Sequence, residues 1–345
     1  ASKNINPDYK SIYTETGAPL LTYYFIAKSF HCLYKFEEAI KYYEKYKLYL
    51  DKGNKIEIAS TEHEIEMCKN GVKMNPVKYG KSAISFTSSG ITGAGFNFPV
   101  LASNDANMLV YCSTKNIGTK NTESSLFYYS CLDSGKWKEP VNLGTDFNNI
   151  PLANSDKLIS AAKEIFFAQM DDDNRELYSL TYIEGKWGSS IKLGVNINSK
   201  SSEANACLSP DGNTLYFASN KEGGYGGYDI YSCEKLSNGS WSKAVNMGPE
   251  INTAYDENTP YILNDGVTLY FSSRGHNSIG GYDIFTATLS DDGISTQVEN
   301  VGYTVNTPQD DIYFLPSSNE KSAFYSSSAN SNTGESEIIL ITLMN

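Results

Sequence analysis

The stretch SPDGNTLYFASNKEGGYGGYDIYSCE, residues 209–234, is followed 54 residues later by LNDGVTLYFSSRGHNSIGGYDIF, residues 263–285. Each copy opens on an Asp-Gly pair, Asp211-Gly212 and Asp265-Gly266, and continues as a short apolar strand. Asp and Gly at a tight turn accept the positive φ that a two-residue hairpin needs. Each copy then runs through a glycine-rich loop to Asp229 or Asp283, where the next strand begins. Two strands and a long connection therefore recur as a unit.

Working outward, weaker copies of the first landmark are SNDANMLVYCST at 103–114, NSDKLISAAKEIFFAQ at 154–169 and SSNEKSAFYSSS at 317–328. The short polar residue before the following strand recurs as Ser125, Glu176, Asp229, Asp283 and Glu337. A glycine closes a strand at Gly90, Gly144, Gly194, Gly248 and Gly302, at intervals of 54, 50, 54 and 54 residues. Trp137, Trp187 and Trp241 precede three of them, in GKWKEPVNLG, GKWGSSIKLG and GSWSKAVNMG. Five copies of each landmark, with four strands per unit, predict a mainly β chain built as a five-bladed β-propeller, in which each blade is a small twisted sheet. The last copy, SEIILITLMN, stops after its third strand, and AISFTSSG at 83–90 is an orphan fourth strand. Joining the two would close the ring over residues 80–345.

Residues 1–75 differ, and 18–72 read as helical. Pro19 suits a helix first turn. Tyr23, Ile26, Ala27 and Phe30 recur at helical spacing, as do Phe36, Ala39, Ile40, Tyr43 and Tyr46 after a break at Tyr34-Lys35. A third helix is expected from about Lys55 to Asn70, with a stripe of Ile58, Ile65, Cys68 and Val72 and Gly71 as its stop. The first two helices resemble a tetratricopeptide repeat, with small residues Ala27 and Ala39 where the pair closes and Tyr46 where the pattern prefers a small residue. One such repeat cannot cover its own apolar face. Because the closing strand follows the helices directly, they are expected beside the last blade, as a clasp on the ring's seam.

SPDGNTLYFASN followed by GGYDIYSCE resembles the WD40-like repeat of TolB-type propellers, often called PD40. The order of helical repeat and then propeller resembles PorE-like periplasmic proteins of the Bacteroidetes. The resemblance implies a periplasmic, outer-membrane-associated scaffold that binds other cell-envelope proteins, as in the type IX secretion system. It also implies a peptidoglycan link through an OmpA-like domain that this chain does not contain.

Composition narrows the chemistry. Net charge is -12, from 28 basic and 40 acidic residues, which opposes nucleic acid as a partner. Only Arg175 and Arg274 are arginines, so arrays of bidentate phosphate clamps are excluded. No apolar run is long enough for a transmembrane segment. No signal peptide is visible, and a start at Ala1 suits a mature or trimmed chain. The six cysteines include no CxxC pair, so a zinc site is not expected; their even number permits disulfides without requiring them, and otherwise they read as buried small hydrophobes. His31, His63 and His276 are the only histidines, no phosphate-binding loop or nucleophile elbow occurs, and no cofactor is expected.

Five-bladed propellers also include glycosidases, so the inter-blade acids Glu203, Asp256, Glu257, Asp310 and Asp311 are the catalytic candidates. Their recurrence at matching positions favours a structural role, binding loop N–H groups or a neighbouring blade. Asp171, Asp172 and Asp173 read as a solvated hairpin tip. Asp211, Gly212, Asp229, Asp265, Gly266 and Asp283 read as structural repeat positions, and Tyr225, Arg274 and His276 in the long loops as partner-binding candidates. The expectation is a non-enzymatic scaffold; the rival reading is a carbohydrate-binding or glycoside-hydrolysing propeller.

Overall fold

The computed structural model describes residues 19–74, 84–85, 96–102, 108–116, 123–134, 136–144, 164–171, 174–183, 186–290, 295–303, 305–316, 322–328 and 336–342. The chain is mainly β, with five antiparallel sheets and three helices among the described residues. The third sheet takes Glu203–Leu208, Thr214–Ser219, Asp229–Glu234 and Val245–Asn246 in that order, and the fourth takes Glu257–Ile262, Thr268–Ser273, Asp283–Leu289 and Ser295–Asn300. The first sheet is built on Phe96–Ala102, Met108–Asn116 and Glu123–Asp133, and the second on Glu164–Asp171 and Asn174–Ile183. The fifth holds Asp311–Pro316, Ser322–Ser327 and Glu337–Thr342, and Ile84–Ser85 pairs antiparallel with its last strand, Ile84 opposite Leu340.

Side-chain alternation explains how the sheets stack, because successive residues of a strand face opposite sides. In TLYFAS, Leu215 and Phe217 enter the core shared with Leu177 and Ile197 near the second sheet, whereas Tyr216 joins Ile262, Leu269 and Phe271 of the fourth. In the fifth sheet, Ala323 and Tyr325 pack against Ile284 of the fourth. Phe324, between them, packs against Leu109 and Tyr111 of the first. Phe127 and Phe167 meet edge-on at 5.9 Å between the first and second sheets. Each sheet thus buries both faces against its neighbours, a propeller-like arrangement, and each fully buried Phe or Leu contributes roughly 1.5–3 kcal/mol.

The hairpin expectation needs correction. Gly212 N donates to Ser209 O at 2.9 Å and Gly266 N to Leu263 O at 3.0 Å, so the turns centre on Pro210-Asp211 and Asn264-Asp265. Only the glycines take positive φ, 76° and 74°. The Asp carboxylates instead accept the following amides, Asn213 N at 3.1 Å and Thr268 N at 2.8 Å. An Asp that captures the N–H two or three residues on stays in the ordinary backbone region, and the loop is longer than two residues.

The helices are α1, Leu21–Cys32, α2, Phe36–Tyr49, and α3, Lys55–Lys73. Tyr34, at φ 56°, makes the break between the first two. Ala27 and Ala39 are fully buried where α1 and α2 meet. Asn54 caps α3, its side chain accepting from Glu57 N at 3.3 Å. Gly71 does not end α3: it lies inside the helix, where an added Cβ would sit 2.7 Å from the Phe36 ring. Its glycine signal records close packing, and Val72 is exposed while Glu64, Met67 and Gly71 join the buried face. The helices rest on the fourth sheet's long loop and the connections flanking it. The contacts include His31 to Ile279, Phe36 to Tyr303, Gln309 to Cys32 and His63 to Tyr255, so the helices lie at the fourth sheet and its two junctions and not at the expected seam between the fifth and the first.

Candidate functional site

The repeated acids form rows across the ends of the sheets. Glu203 is opposite Ser219, which is opposite Asp229. Glu257, Ser273 and Asp283 repeat this in the fourth sheet, and Asp311, Ser327 and Glu337 in the fifth. Glu257 Oε1 accepts from the hydroxyls of Thr253 and Ser273, both at 2.7 Å, and its Oε2 from Thr253 N at 2.7 Å. Glu203 does the same with Ser199 and Ser219, at 2.7 and 2.9 Å. Asp311 is one methylene shorter; its Oδ2 accepts from Thr307 N and Oγ1, at 2.6 and 2.8 Å, and Ser327 also hydrogen-bonds its carboxylate.

Glu203, Glu257, Asp283 and Asp311 are fully buried. Burial penalises the charged form, and hydrogen bonds to the carboxylates only partly offset it. Glu257 and Asp311 are each pushed up to about 7, Glu203 is raised, and Asp283 lies well above the usual carboxylate range.

Asp229 holds the third sheet's loop by accepting from Tyr225 N and Gly226 N at 2.6 and 3.0 Å, and from Asn246 Nδ2 at 2.7 Å. Asp283 accepts from Ile279 N and Asn300 Nδ2, both at 2.8 Å. Asp256 and Asp310 reach back to the preceding sheet, accepting from Tyr228 N at 2.9 Å and Tyr282 N at 2.8 Å. The Gly-Gly pairs are required by this approach: a Cβ on Gly226 or Gly280 would overlap the Tyr255 or Thr307 carbonyl.

The partner-binding candidates differ in setting. Tyr225 is 52% exposed on the third sheet's loop. Arg274 lies 3.1 Å from Asp310 and 4.3 Å over the Tyr282 ring, bridging the fourth and fifth sheets. His276 sits at φ 50° with Nε2 2.9 Å from Ile251 O and its ring against Phe271 and Phe285. Burial lowers its pKa. Asp171 pairs with Lys192 at 2.8 Å, while Asp172 and Asp173 lie outside the described residues. Among the described residues, no group of three or more His, Cys, Asp or Glu is placed to hold a metal ion. No helix among them is long and apolar enough to cross a membrane.

Two sets of residues escaped the sequence reading. Asn252 brackets Ile230, accepting its N–H at 2.7 Å and donating to its carbonyl at 2.9 Å. Asn306 repeats this on Ile284, and Asn198 on Leu177. Their 54-residue spacing was the available signal. Asn205, Thr259 and Tyr313 take positive φ of 39°, 48° and 61°, where register breaks interrupt the first strand of the third, fourth and fifth sheets. Their residue types differ, so nothing marked them.

No family model matches the chain, and no curated protein matches it. Solved structures do. TolB from Acinetobacter baumannii is 13% identical with a TM-score of 0.38, over 84% of this chain and 57% of that one. The chain therefore spans little more than half of that TolB. A thermostable family-43 glycoside hydrolase is 11% identical with a TM-score of 0.47, over 75% of this chain and 93% of that one. An endo-arabinase from Bacteroides thetaiotaomicron is 14% identical with a TM-score of 0.41, over 78% and 98%. At these levels the likeness transfers no residue role and no activity.

Proposed function

We propose that the chain is a non-enzymatic scaffold, a closed five-bladed propeller carrying a tetratricopeptide-like helical segment that docks other proteins of the cell envelope. The observation that carries this reading is the use made of the repeated acids. A glycosidase needs two carboxyl groups that a sugar and water can reach. Glu203, Glu257 and Asp311 are fully buried and bound to hydroxyls and amides of their own loops, and the half-buried Asp256 and Asp310 are held by the Tyr228 and Tyr282 amides of the preceding sheet. Repetition of the same contacts in three sheets fits a part of the frame. Closure is supported by the pairing of Ile84–Ser85 with Glu337–Thr342 and by the core shared between the fifth and first sheets. A periplasmic site and a type IX secretion role rest on the resemblance of the repeat and of the segment order.

The test sets the two functional classes against each other. The purified chain is assayed on arabinan, arabinoxylan and sialosides and on a glycan array, and is cross-linked in its native envelope fraction. The scaffold reading expects no turnover, no glycan binding, and a reproducible envelope-protein partner. Turnover or glycan binding that Glu203→Gln or Glu257→Gln abolishes, with the fold intact, would establish the carbohydrate reading instead.

A further inference from the structure

The helical segment covers the long loop of the fourth sheet through contacts to its backbone carbonyls. His31 Nε2 lies 2.7 Å from Ile279 O, and Asn70 Nδ2 donates to Ser278 O at 3.0 Å. Phe36 stacks on Tyr303, ring centroids 5.8 Å apart, in the connection that follows this sheet. Ser278 and Ile279 are buried beneath the helices. Glu64 of α3 ties the three helices into one body, accepting from Lys28 Nζ of α1 at 2.8 Å and from Tyr43 OH of α2 at 3.0 Å.

The third sheet carries the same platform 54 residues earlier, uncovered. Gly224 and Tyr225 stand where Ser278 and Ile279 stand, and Pro249 where Tyr303 stands. The frames match bond for bond. Asp229 accepts from Tyr225 N at 2.6 Å, as Asp283 accepts from Ile279 N at 2.8 Å. Gly227 N donates to Tyr255 O at 3.2 Å, as Gly281 N donates to Gln309 O at 3.0 Å. Yet Gly224, Tyr225 and Pro249 are exposed. The carbonyls of Gly224 and Tyr225 accept no hydrogen bond from the described residues. Solvated turns favour small polar residues, whereas the exposed position here is Tyr225, a type enriched where partners bind.

The docked helices reach the edge of this second platform. Ile56, His63 and Asn70 are seven residues apart and share one stripe of α3. Asn70 rests on the fourth sheet's loop, and His63 stacks on Tyr255 at 4.3 Å. The Tyr255 carbonyl receives Gly227 N, so Tyr255 borders the third sheet's loop as well. Ile56 lies about 10 Å further along the axis than His63 and is 86% exposed. Ile56, Tyr255 and Tyr225 are thus exposed apolar groups at the open end of an interface already formed. We infer that the third sheet's loop is a second helix-docking platform, taking an amphipathic α-helix of another protein that lies beside α3. The chain's own helices are held by the fourth sheet, so they do not supply it. The partner helix carries apolar side chains at three- and four-residue spacing for Ile56, Tyr255 and Tyr225. It also carries an Asn, Gln or His that donates to the Gly224 and Tyr225 carbonyls, as Asn70 does to Ser278. This names a partner class for the scaffold reading and rests on it.

Photocrosslinking of the full chain in its native envelope fraction tests this. The photoreactive p-benzoylphenylalanine replaces Tyr225, Ile56 or, as a control, Val245, which is 64% exposed on the third sheet's last strand. Mass spectrometry should find one stretch of one partner joined from both 225 and 56, its linked residues three or four apart, and absent from the 245 adducts. A synthetic peptide of that stretch is then titrated into the purified chain. It should gain helix by circular dichroism and slow hydrogen exchange over residues 221–227. Tyr225→Ser should weaken its binding roughly ten-fold while the melting temperature stays put. Adducts from 225 that match those from 245, a partner stretch bound as an extended strand, or an adduct to a second copy of this chain overturns the inference. An envelope partner caught elsewhere while 225 stays unlinked overturns the platform and leaves the scaffold reading standing. No partner from any position overturns both.

Discussion

Replacing Glu257 by Gln should remove much of an unusual loss of stability between acidic and neutral pH. The side chain is fully buried, and burial raises its carboxyl from 4.5 to about 7. A carboxyl raised in the fold favours its protonated form there. Its stabilising share is complete below 4.5, is lost as pH rises to about 7, and changes no further above that. At about 1.4 kcal/mol per pH unit, that interval corresponds to about 3 kcal/mol. Asp311, raised from 3.8 to about 7, adds a loss of the same sign. Glu64, held down to about 2, acts oppositely, but its share is lost only as pH falls from 4.5 towards 2. The Gln carbonyl can keep the Thr253 amide bond, and its NH2 group faces the Thr253 and Ser273 hydroxyls, which can rotate to accept. The assay is urea unfolding of both proteins at about pH 5 and about pH 8. The unmodified chain should lose stability across that interval, and the variant should lose about 2–3 kcal/mol less. Equal pH slopes in the two proteins, or stability that rises towards pH 8, would refute the reasoning.

Other outcomes follow from the same contacts. Gly226→Ala drives a methyl into the Tyr255 carbonyl and should abolish cooperative folding, whereas Gly212→Ala, at φ 76° in open space, should cost about 1–2 kcal/mol; thermal melts distinguish them.

The frame was legible because it repeats. Leu215, Phe217 and their counterparts Leu269 and Phe271 stand at one spacing and one alternation, so strand, face and neighbour could be read together. The expected fourth strand at 83–90 is described only at Ile84–Ser85, which pairs with Glu337–Thr342. Local ambiguity defeated finer points. Asp-Gly serves more than one turn type, and Gly71 carries the same letter whether it stops a helix or admits a Phe ring. The acids were located by recurrence, but their partners were not, since the Ser that meets Glu257 lies 16 residues away. The helical cluster left no signal at all: Lys28 and Glu64 are 36 residues apart, and His31 and Ile279 are 248 apart. Only folding brings such groups together.

The proposed ring requires that the edge strand from before the first sheet complete the fifth, with the repeated acids serving that frame. Ile84→Cys with Leu340→Cys tests it directly, because opposed residues of an antiparallel pair lie within disulfide reach. The bond is scored by peptide mapping after mild oxidation of the folded chain. The ring predicts a nearly complete intramolecular 84–340 disulfide and a raised melting temperature. A folded double variant that keeps both thiols free, or forms the bond only between molecules, would contradict it.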